Sequence, residues 1–162
     1  MADEKIGNGS FGGPSEALVI GYARCAVAAD GNGLDEQNAA NRAWAEENLG
    51  QDVTFMGFSD DGAGGAVRRN GLEAALDLTS TRSPGVLVVE RLTRLSRSSF
   101  DVLGIVHDLI DRGWRFVSRA DGIDTSSAEW ELPMQVFAMA HEHEVDRQRL
   151  RARAVGRKKK GA

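Results

Sequence analysis

Arg147, Arg149, Arg151, Arg153, Arg157, Lys158, Lys159 and Lys160 follow one another in a short stretch that holds no acidic residue. The 162-residue chain has 20 basic and 24 acidic side chains, so with eight of the basic ones in this stretch the remainder carries −12 against an overall −4. A concentrated basic segment on an acidic body suits phosphate, because each phosphate neutralised releases condensed counterions. On charge alone, a solvated tail is the competing reading. Other groupings offer less. His141-Glu142-His143-Glu144 places its histidines at i and i+2, which do not share a helix face, and lacks the His-Glu-x-x-His spacing, so no metal is expected. Asp60-Asp61-Gly62-Ala63-Gly64-Gly65 has no following Gly-Lys-Ser/Thr and reads as a flexible loop rather than a phosphate cradle. Trp44, Trp114 and Trp130 read as core or interface residues. With one Tyr and six scattered Phe they form no stacking ladder for single strands. The one cysteine, Cys25, allows neither an internal disulfide nor a cysteine-rich zinc site.

The elements that must position such groups read as an alternation. Residues 1–16, rich in glycine and poor in apolar side chains, are expected to be a flexible leader. β-rich runs follow at Ala17–Arg24, Val53–Phe58, Val86–Glu90 and Arg115–Ser118, with helical segments at Leu34–Leu49, Leu72–Leu78 and Phe100–Arg112 between them. In the last helix Val102, Leu103, Val106, Leu109 and Ile110 share a face, and Gly113 is the expected C-terminal cap. Strands alternating with helices predict an α/β fold with a three-layer core over residues 17–130 and a mostly parallel central sheet. From residue 131 to about 160 the pattern is one long helix, packed in its first half through an apolar stripe of Leu132, Val136, Met139 and Ala140 and projecting in its second. Composition is that of an ordinary globular domain. With no apolar run of membrane-spanning length and no basic-then-apolar start, a cytoplasmic location away from membranes is expected.

Several motifs, in order and spacing from Ile20 to Gly161, carry a family resemblance. Tyr22-Ala23-Arg24-Cys25-Ala26-Val27 resembles the Tyr-x-Arg-Val-Ser-Thr signature of the serine recombinases, the resolvase/invertase family, with Ala26 where the nucleophilic serine belongs. Gly33-Leu34-Asp35-Glu36-Gln37 is similar to the Ser-Leu-x-x-Gln that opens the family's first helix. Phe58-Ser59-Asp60-Asp61-Gly62 with Arg69-Asn70-Gly71-Leu72 resembles its Asp-rich loop closing on Arg-x-Gly-Leu. Val88 to Arg97 looks like its Val-x-x-Leu-Asp-Arg-Leu-Ser-Arg strand and turn, Asp121 to Ser126 like the turn before its long helix, and Glu144 to Arg151 like that helix's later part.

The resemblance implies DNA strand exchange, in which a serine attacks a phosphodiester, holds the DNA as a phosphoserine ester and releases a 3′ oxygen. Such chemistry needs guanidinium groups to carry the transition-state charge, and arginine's planar fork contacts two phosphate oxygens at once. By motif position these are Arg24, Arg69, Arg94 and Arg97, with Tyr22 and Gln37 in support and Asp60 placing the loop. The rest of the machinery is depleted. Ala26 removes the nucleophile, Val27 replaces its Thr neighbour, and Thr93 stands in place of an aspartate. The family's Glu-Arg pair on the long helix falls on Glu142-His143 or Glu144-Val145, and neither register supplies the arginine. Cys25 does not substitute as nucleophile: next to a phosphate-facing position 26, it should turn toward the core. Several losses together fit natural degeneration better than one engineered change, although Ala26 alone is what a deliberate Ser→Ala substitution would leave.

Along the same resemblance the long helix runs from a dimer interface at Leu132, Val136, Met139 and Ala140 to the DNA minor groove, where Arg147, Arg149, Arg151, Arg153, Arg157 and the three lysines make mainly phosphate contacts. No helix-turn-helix follows it in this sequence, so base readout is expected from a partner or a further domain. The expected function is that of an inactive, DNA-associated structural, regulatory or accessory protein. The expected partners are double-stranded DNA and further copies in a homodimer or homotetramer, with no cofactor. Two alternatives stay open: a true recombinase domain with its nucleophile replaced, and an assembly module that has lost DNA binding.

Overall fold

Four consecutive valine and leucine positions, Val86–Val89, are all buried, which is what a strand covered on both faces requires. That strand is β3 of a five-stranded sheet ordered β2-β1-β3-β4-β5 in a computed structural model that describes residues 17–25, 33–62, 69–140 and 147. The elements are β1 (Ala17–Cys25), α1 (Leu34–Leu49), β2 (Val53–Asp61), α2 (Asn70–Thr81), β3, α3 (Leu92–Leu95), α4 (Ser99–Asp111), β4 (Arg115–Ser118) and β5 (Ile123–Asp124). A further helix, α5, covers 131–140. β1 pairs in parallel with β2 and β3, and β3 with β4, while only β5 runs antiparallel. The expected mostly parallel α/β fold is therefore present.

Alternation along the strands divides the core in two. Ile20, Tyr22, Leu87, Val89 and Phe116 face α2 and α4, packing on Leu72, Ala75, Val102, Val106 and Leu109. Val19, Val86, Val88 and Val117 face the other way, against Ala45 of α1. With α1 on one face and α2 and α4 on the other, the strand order reverses between β1 and β3, and in open α/β sheets the crevice outside the carboxyl ends at such a reversal is where ligands sit.

Element bounds depart from the sequence reading where tertiary pairing extends a segment. β2 runs on to Asp61 because Cys25 of β1 pairs opposite it, and α2 begins at Asn70, two residues before the expected start. α3 and β5 were not expected. α4 ends as expected at Gly113, whose φ is 77°, with Gly113 N–H donating to Ile110 O (2.8 Å) and Trp114 N–H to Leu109 O (2.8 Å), a Schellman closure.

The apolar stripe of α5 does not pack on the core. Leu132, Val136 and Met139 are 67%, 58% and 62% exposed and Ala140 is exposed too, while Met134 is buried and Phe137 rests on the main cluster. Both faces of this short helix are apolar, so periodicity alone did not decide which one turns inward. No helix among the described residues is long and apolar enough to cross a membrane. The leader 1–16, Ala26, Val27, Glu142, Arg149, Arg151, Arg153, Arg157, Lys158, Lys159 and Lys160 lie outside the described residues, while Arg147 is helical and exposed.

Candidate phosphate-binding site

Arg24 is the penultimate residue of β1, held at the sheet's carboxyl edge by side chains from α1. Gln37 clamps its backbone from both sides: Arg24 N–H donates to Gln37 Oε1 (3.3 Å) and Gln37 Nε2 donates to Arg24 O (3.2 Å). One helical turn on, Asn41 Nδ2 donates to Tyr22 O (3.4 Å), and Asn38 Nδ2 donates to Phe58 O of β2 (3.3 Å). These contacts explain a helix whose buried residues are Gln37, Asn41 and Ala45, where an apolar stripe would be usual. The amides satisfy strand backbone groups; Gln37 and Asn41 use both their amide atoms, whereas Asn38 Oδ1 is buried without a hydrogen-bond partner among the described residues.

Asp60 joins the other half of the edge. One carboxylate oxygen accepts from Gly71 N–H (2.8 Å), and the other accepts from Leu72 N–H (2.9 Å) and from the Tyr22 hydroxyl (2.9 Å). It thus caps the N-terminus of α2 from a neighbouring strand, where the helix dipole favours a negative charge. Gly71 is required there, because a Cβ would stand 2.4 Å from Ser59 O. Burial, then the bond to Asp60 and its charge, push the Tyr22 hydroxyl well above its usual range against the opposing pull of Arg69 and Arg24. Tyr22 is accordingly a fixed donor.

Arg69 immediately precedes α2, and its guanidinium donates to the Leu95 carbonyl, tying α2 to the end of α3. Arg97 is exposed in the turn after α3. That turn is fixed by Ser98 N–H donating to Ser96 Oγ (3.1 Å) and Ser96 Oγ donating to Asp101 (3.0 Å). Arg24 is itself buried, and burial first, then the charges of Arg69 and Arg97, lower its affinity for a proton against the opposing pull of Tyr22 and Asp60. Arg69, just before α2, and Arg97, in the turn after α3, thus both act on Arg24 of β1 at this edge. Among the described residues the ion pairs are Arg94–Glu90, Arg112–Asp108 and Arg115–Asp124, none of which neutralises the three. A cationic cluster in no ion pair among the described residues, whose nearby carboxylate Asp60 is engaged by Gly71, Leu72 and Tyr22, is suited to an anion.

The sequence-derived residues are distributed as follows. Tyr22, Arg24, Gln37, Asp60 and Arg69 meet through the hydrogen bonds and charge interactions above, and Arg97 acts on Arg24 through space. Arg94 forms an ion pair with Glu90, Nη2 and Nε lying 3.0 and 3.1 Å from the same carboxylate oxygen. Cys25 is buried. Sequence reasoning missed Asn41, Glu90 and Asp121. Asp121 accepts from Leu92 N–H (2.6 Å) and Ser118 Oγ (2.6 Å) and so anchors the start of α3. Only the three-dimensional pairing reveals these roles, although an asparagine on the inward side of α1 was a readable signal.

A mostly parallel sheet whose strand order reverses between β1 and β3, with arginines gathered outside the carboxyl ends of its strands, defines an α/β domain of the resolvase type. The chain belongs to the serine recombinase family, its residues 19–162 matching the family model described as Resolvase, N terminal domain. The Transposon Tn552 DNA-invertase BinR of Staphylococcus aureus is 35% identical over 149 residues, covering 86% of this chain and 71% of that protein. The DNA-invertase of Escherichia phage P1 is 36% identical over 110 residues, covering 68% of this chain and 53% of its own length. Among solved structures, the N-terminal catalytic domain of TP901-1 integrase superposes with a TM-score of 0.63 at 29% identity, covering 80% of this chain and 97% of that domain. A resolvase family site-specific recombinase from Streptococcus pneumoniae shares the fold at 23% identity, with a TM-score of 0.64 over 91% of this chain and all of the other.

Proposed function

We propose that this domain binds duplex DNA through its sheet edge and its basic segment but does not cleave it, acting as a DNA-associated structural, regulatory or accessory member of the recombinase family. The observation that carries this reading is Arg24: buried, opposed by Arg69 and Arg97, and in no ion pair among the described residues. Such a group is at its most favourable when a phosphate lies against it. Cleavage additionally needs an oxygen nucleophile, and residue 26 is alanine. The residues in the catalytic reading are Tyr22, Arg24, Gln37, Asp60, Arg69, Arg94, Arg97 and Glu142, around a vacant position 26. In the basic segment, Arg147, Arg149, Arg151, Arg153, Arg157, Lys158, Lys159 and Lys160 make the backbone contacts.

Assembly goes through α5 in the same reading. Leu132, Val136, Met139 and Ala140 are exposed beside an open groove lined in part by Ile123, Pro133 and Phe137, a face suited to a second copy of the chain in a homodimer or homotetramer.

The direct test is a salt titration of binding to a short labelled duplex, comparing the full chain with one ending at Asp146. Binding that weakens steeply with salt and is largely lost on truncation is the expected result; no binding at low salt would refute the reading and favour a pure assembly module. A second reading, a recombinase domain lacking only its nucleophile, is favoured by the intact Gln37 clamp and the Tyr22–Asp60 bond. It predicts that Ala26→Ser, given a target site, forms a covalent adduct. The new Oγ–phosphorus bond would replace the phosphorus–3′ oxygen bond, the hydroxyl proton being lost from Oγ and one gained by the 3′ oxygen. Absence of an adduct on a denaturing gel would count against that reading alone.

A further inference from the structure

At the carboxyl end of β4, on the face of the sheet opposite Arg24, Arg119 repeats Arg24's situation. Ser118 of β4, Val89 of β3 and Tyr22 of β1 lie in one row across the sheet, so Arg119 stands just beyond that row as Arg24 does. Two strand spacings separate their strands, about 10 Å. Val117, two residues before Arg119, packs with Ala45 on the α1 face, whereas Tyr22, two residues before Arg24, packs with the α2–α4 cluster. Alternation therefore sends the two arginine side chains to opposite sides of one edge.

Arg119 is half-buried, and its Nε donates to Asn41 Oδ1 at 2.8 Å. Asn41 is wholly buried, and its other amide atom is spent on Tyr22 O. A leucine would suit this inward position better as packing, whereas the asparagine fixes one edge of a guanidinium. That edge uses one of arginine's five N–H groups. The four on the two Nη atoms have no acceptor among the described residues, and no carboxylate forms an ion pair with the group there. A cation oriented by a buried amide, desolvated in part and left unneutralised is built to receive an anion rather than to hold the fold together.

We propose that Arg119 is a second phosphate-contact residue, oriented by Asn41, which grips a nucleic-acid backbone from the α1 side of the edge while Arg24, Arg69 and Arg97 engage it from the other. The proposal rests on the reading of the domain as a duplex-binding protein and adds to it a contact that the recombinase motifs do not contain.

The test is equilibrium binding of the full chain to a short labelled duplex across a series of salt concentrations, for wild type, Arg119→Gln, Arg119→Met, Arg24→Gln and the control Arg82→Gln. Arg82 is exposed just after α2, before β3 begins, at the opposite edge. Gln can still donate to Asn41, and Met keeps the apolar stem, so at least one of the two Arg119 variants is expected to melt cooperatively. Loss of one phosphate contact should make the slope of log K against log salt shallower by about 0.9, whatever the duplex sequence, with Arg82→Gln unchanged. Wild-type slope and affinity in a folded Arg119 variant, alongside weakened binding by Arg24→Gln, would overturn the proposal and leave the duplex-binding reading standing. A wild-type chain that binds no duplex would overturn both.

Discussion

Replacing Asp60 by alanine should unfasten the whole carboxyl edge, and the structure sets the size of the effect. The carboxylate accepts from Gly71 N–H, Leu72 N–H and the Tyr22 hydroxyl at 2.8, 2.9 and 2.9 Å. Losing an N-terminal cap costs about 1–2 kcal/mol, and losing a hydrogen bond to a charged group about 1.5–3 kcal/mol, more so here because the Tyr22 hydroxyl is left buried without an acceptor. Since the contributions overlap, about 3–4 kcal/mol is expected in total. With a urea m-value of about 2 kcal/mol/M, that moves the unfolding midpoint down by about 1.5–2 M. Asp60→Asn should recover little, because its amide nitrogen must face a donor whichever way it turns. A double-mutant cycle with Tyr22→Phe isolates the phenol contact, for which a coupling of about 1 kcal/mol is expected. A midpoint shift below about 0.5 M for Asp60→Ala, or a coupling indistinguishable from zero, would show that Asp60 does not fasten β1 to α2 as described.

Three further outcomes follow from the charges. Because burial and two neighbouring arginines oppose Arg24's charge, Arg24→Gln should raise the melting temperature of the unliganded protein while abolishing the extra stabilisation that inorganic phosphate gives the wild type; a lowered melting temperature would contradict this. Glu90→Gln should free Arg94 for phosphate, so duplex affinity should rise several-fold and the salt slope steepen by about 0.9 in a filter-binding titration. Burial alone would raise the Asp124 carboxyl, but the forked contact from Arg115 (2.8 and 2.6 Å) and bonds from Ser126 hold it below its ordinary value of 3.8. Its contribution is therefore fully present above about pH 5 and is lost as pH falls through the lowered value, so Asp124→Asn should flatten the acid limb of the stability curve below pH 5 and change little of its slope at pH 7.

Legibility in the sequence followed length and repetition. α1 was readable from Leu34 to Leu49 because Gly33 and Gly50 bracket it, yet its buried face of Gln37, Asn41 and Ala45 was not, since hydrophobic periodicity carries no signal for amides that bond to strand backbone. β5 has two residues and α3 four, too short for any period to show. Along α5 and the turn residue before it, Leu132-Val136-Met139 and Trp130-Met134-Phe137 are equally good helical stripes, and only the groove left by the core selects the second. At the site, motif order pointed to Arg24, Arg69 and Arg97, whereas Glu90 and Asn41 come to the edge by strand order and helix packing. A reading of spacing along the chain does not see either.

The way charge is placed at the edge also bears on which function the fold serves. An assembly module needs the exposed face of α5 and gains nothing from a buried arginine pressed by two others. Elsewhere the described arginines show how this chain treats guanidinium groups that hold structure: Arg94, Arg112 and Arg115 each have a carboxylate within 3.0 Å. Arg24 and Arg119 have none, and each is instead oriented through α1 amides, Arg24 by Gln37 at its backbone and Arg119 by Asn41 at its Nε. Fixing a cation with neutral amides leaves it without a paired carboxylate, the more distant charge of Asp60 offsetting only part of the cost at Arg24. That cost is offset when an anion arrives. On the proposed reading, alanine at position 26 offers no hydroxyl for the bond-making step while the arginines serve binding, so cleavage and binding should respond to different substitutions: Ala26→Ser to the first, Arg24→Gln and Arg119→Gln to the second.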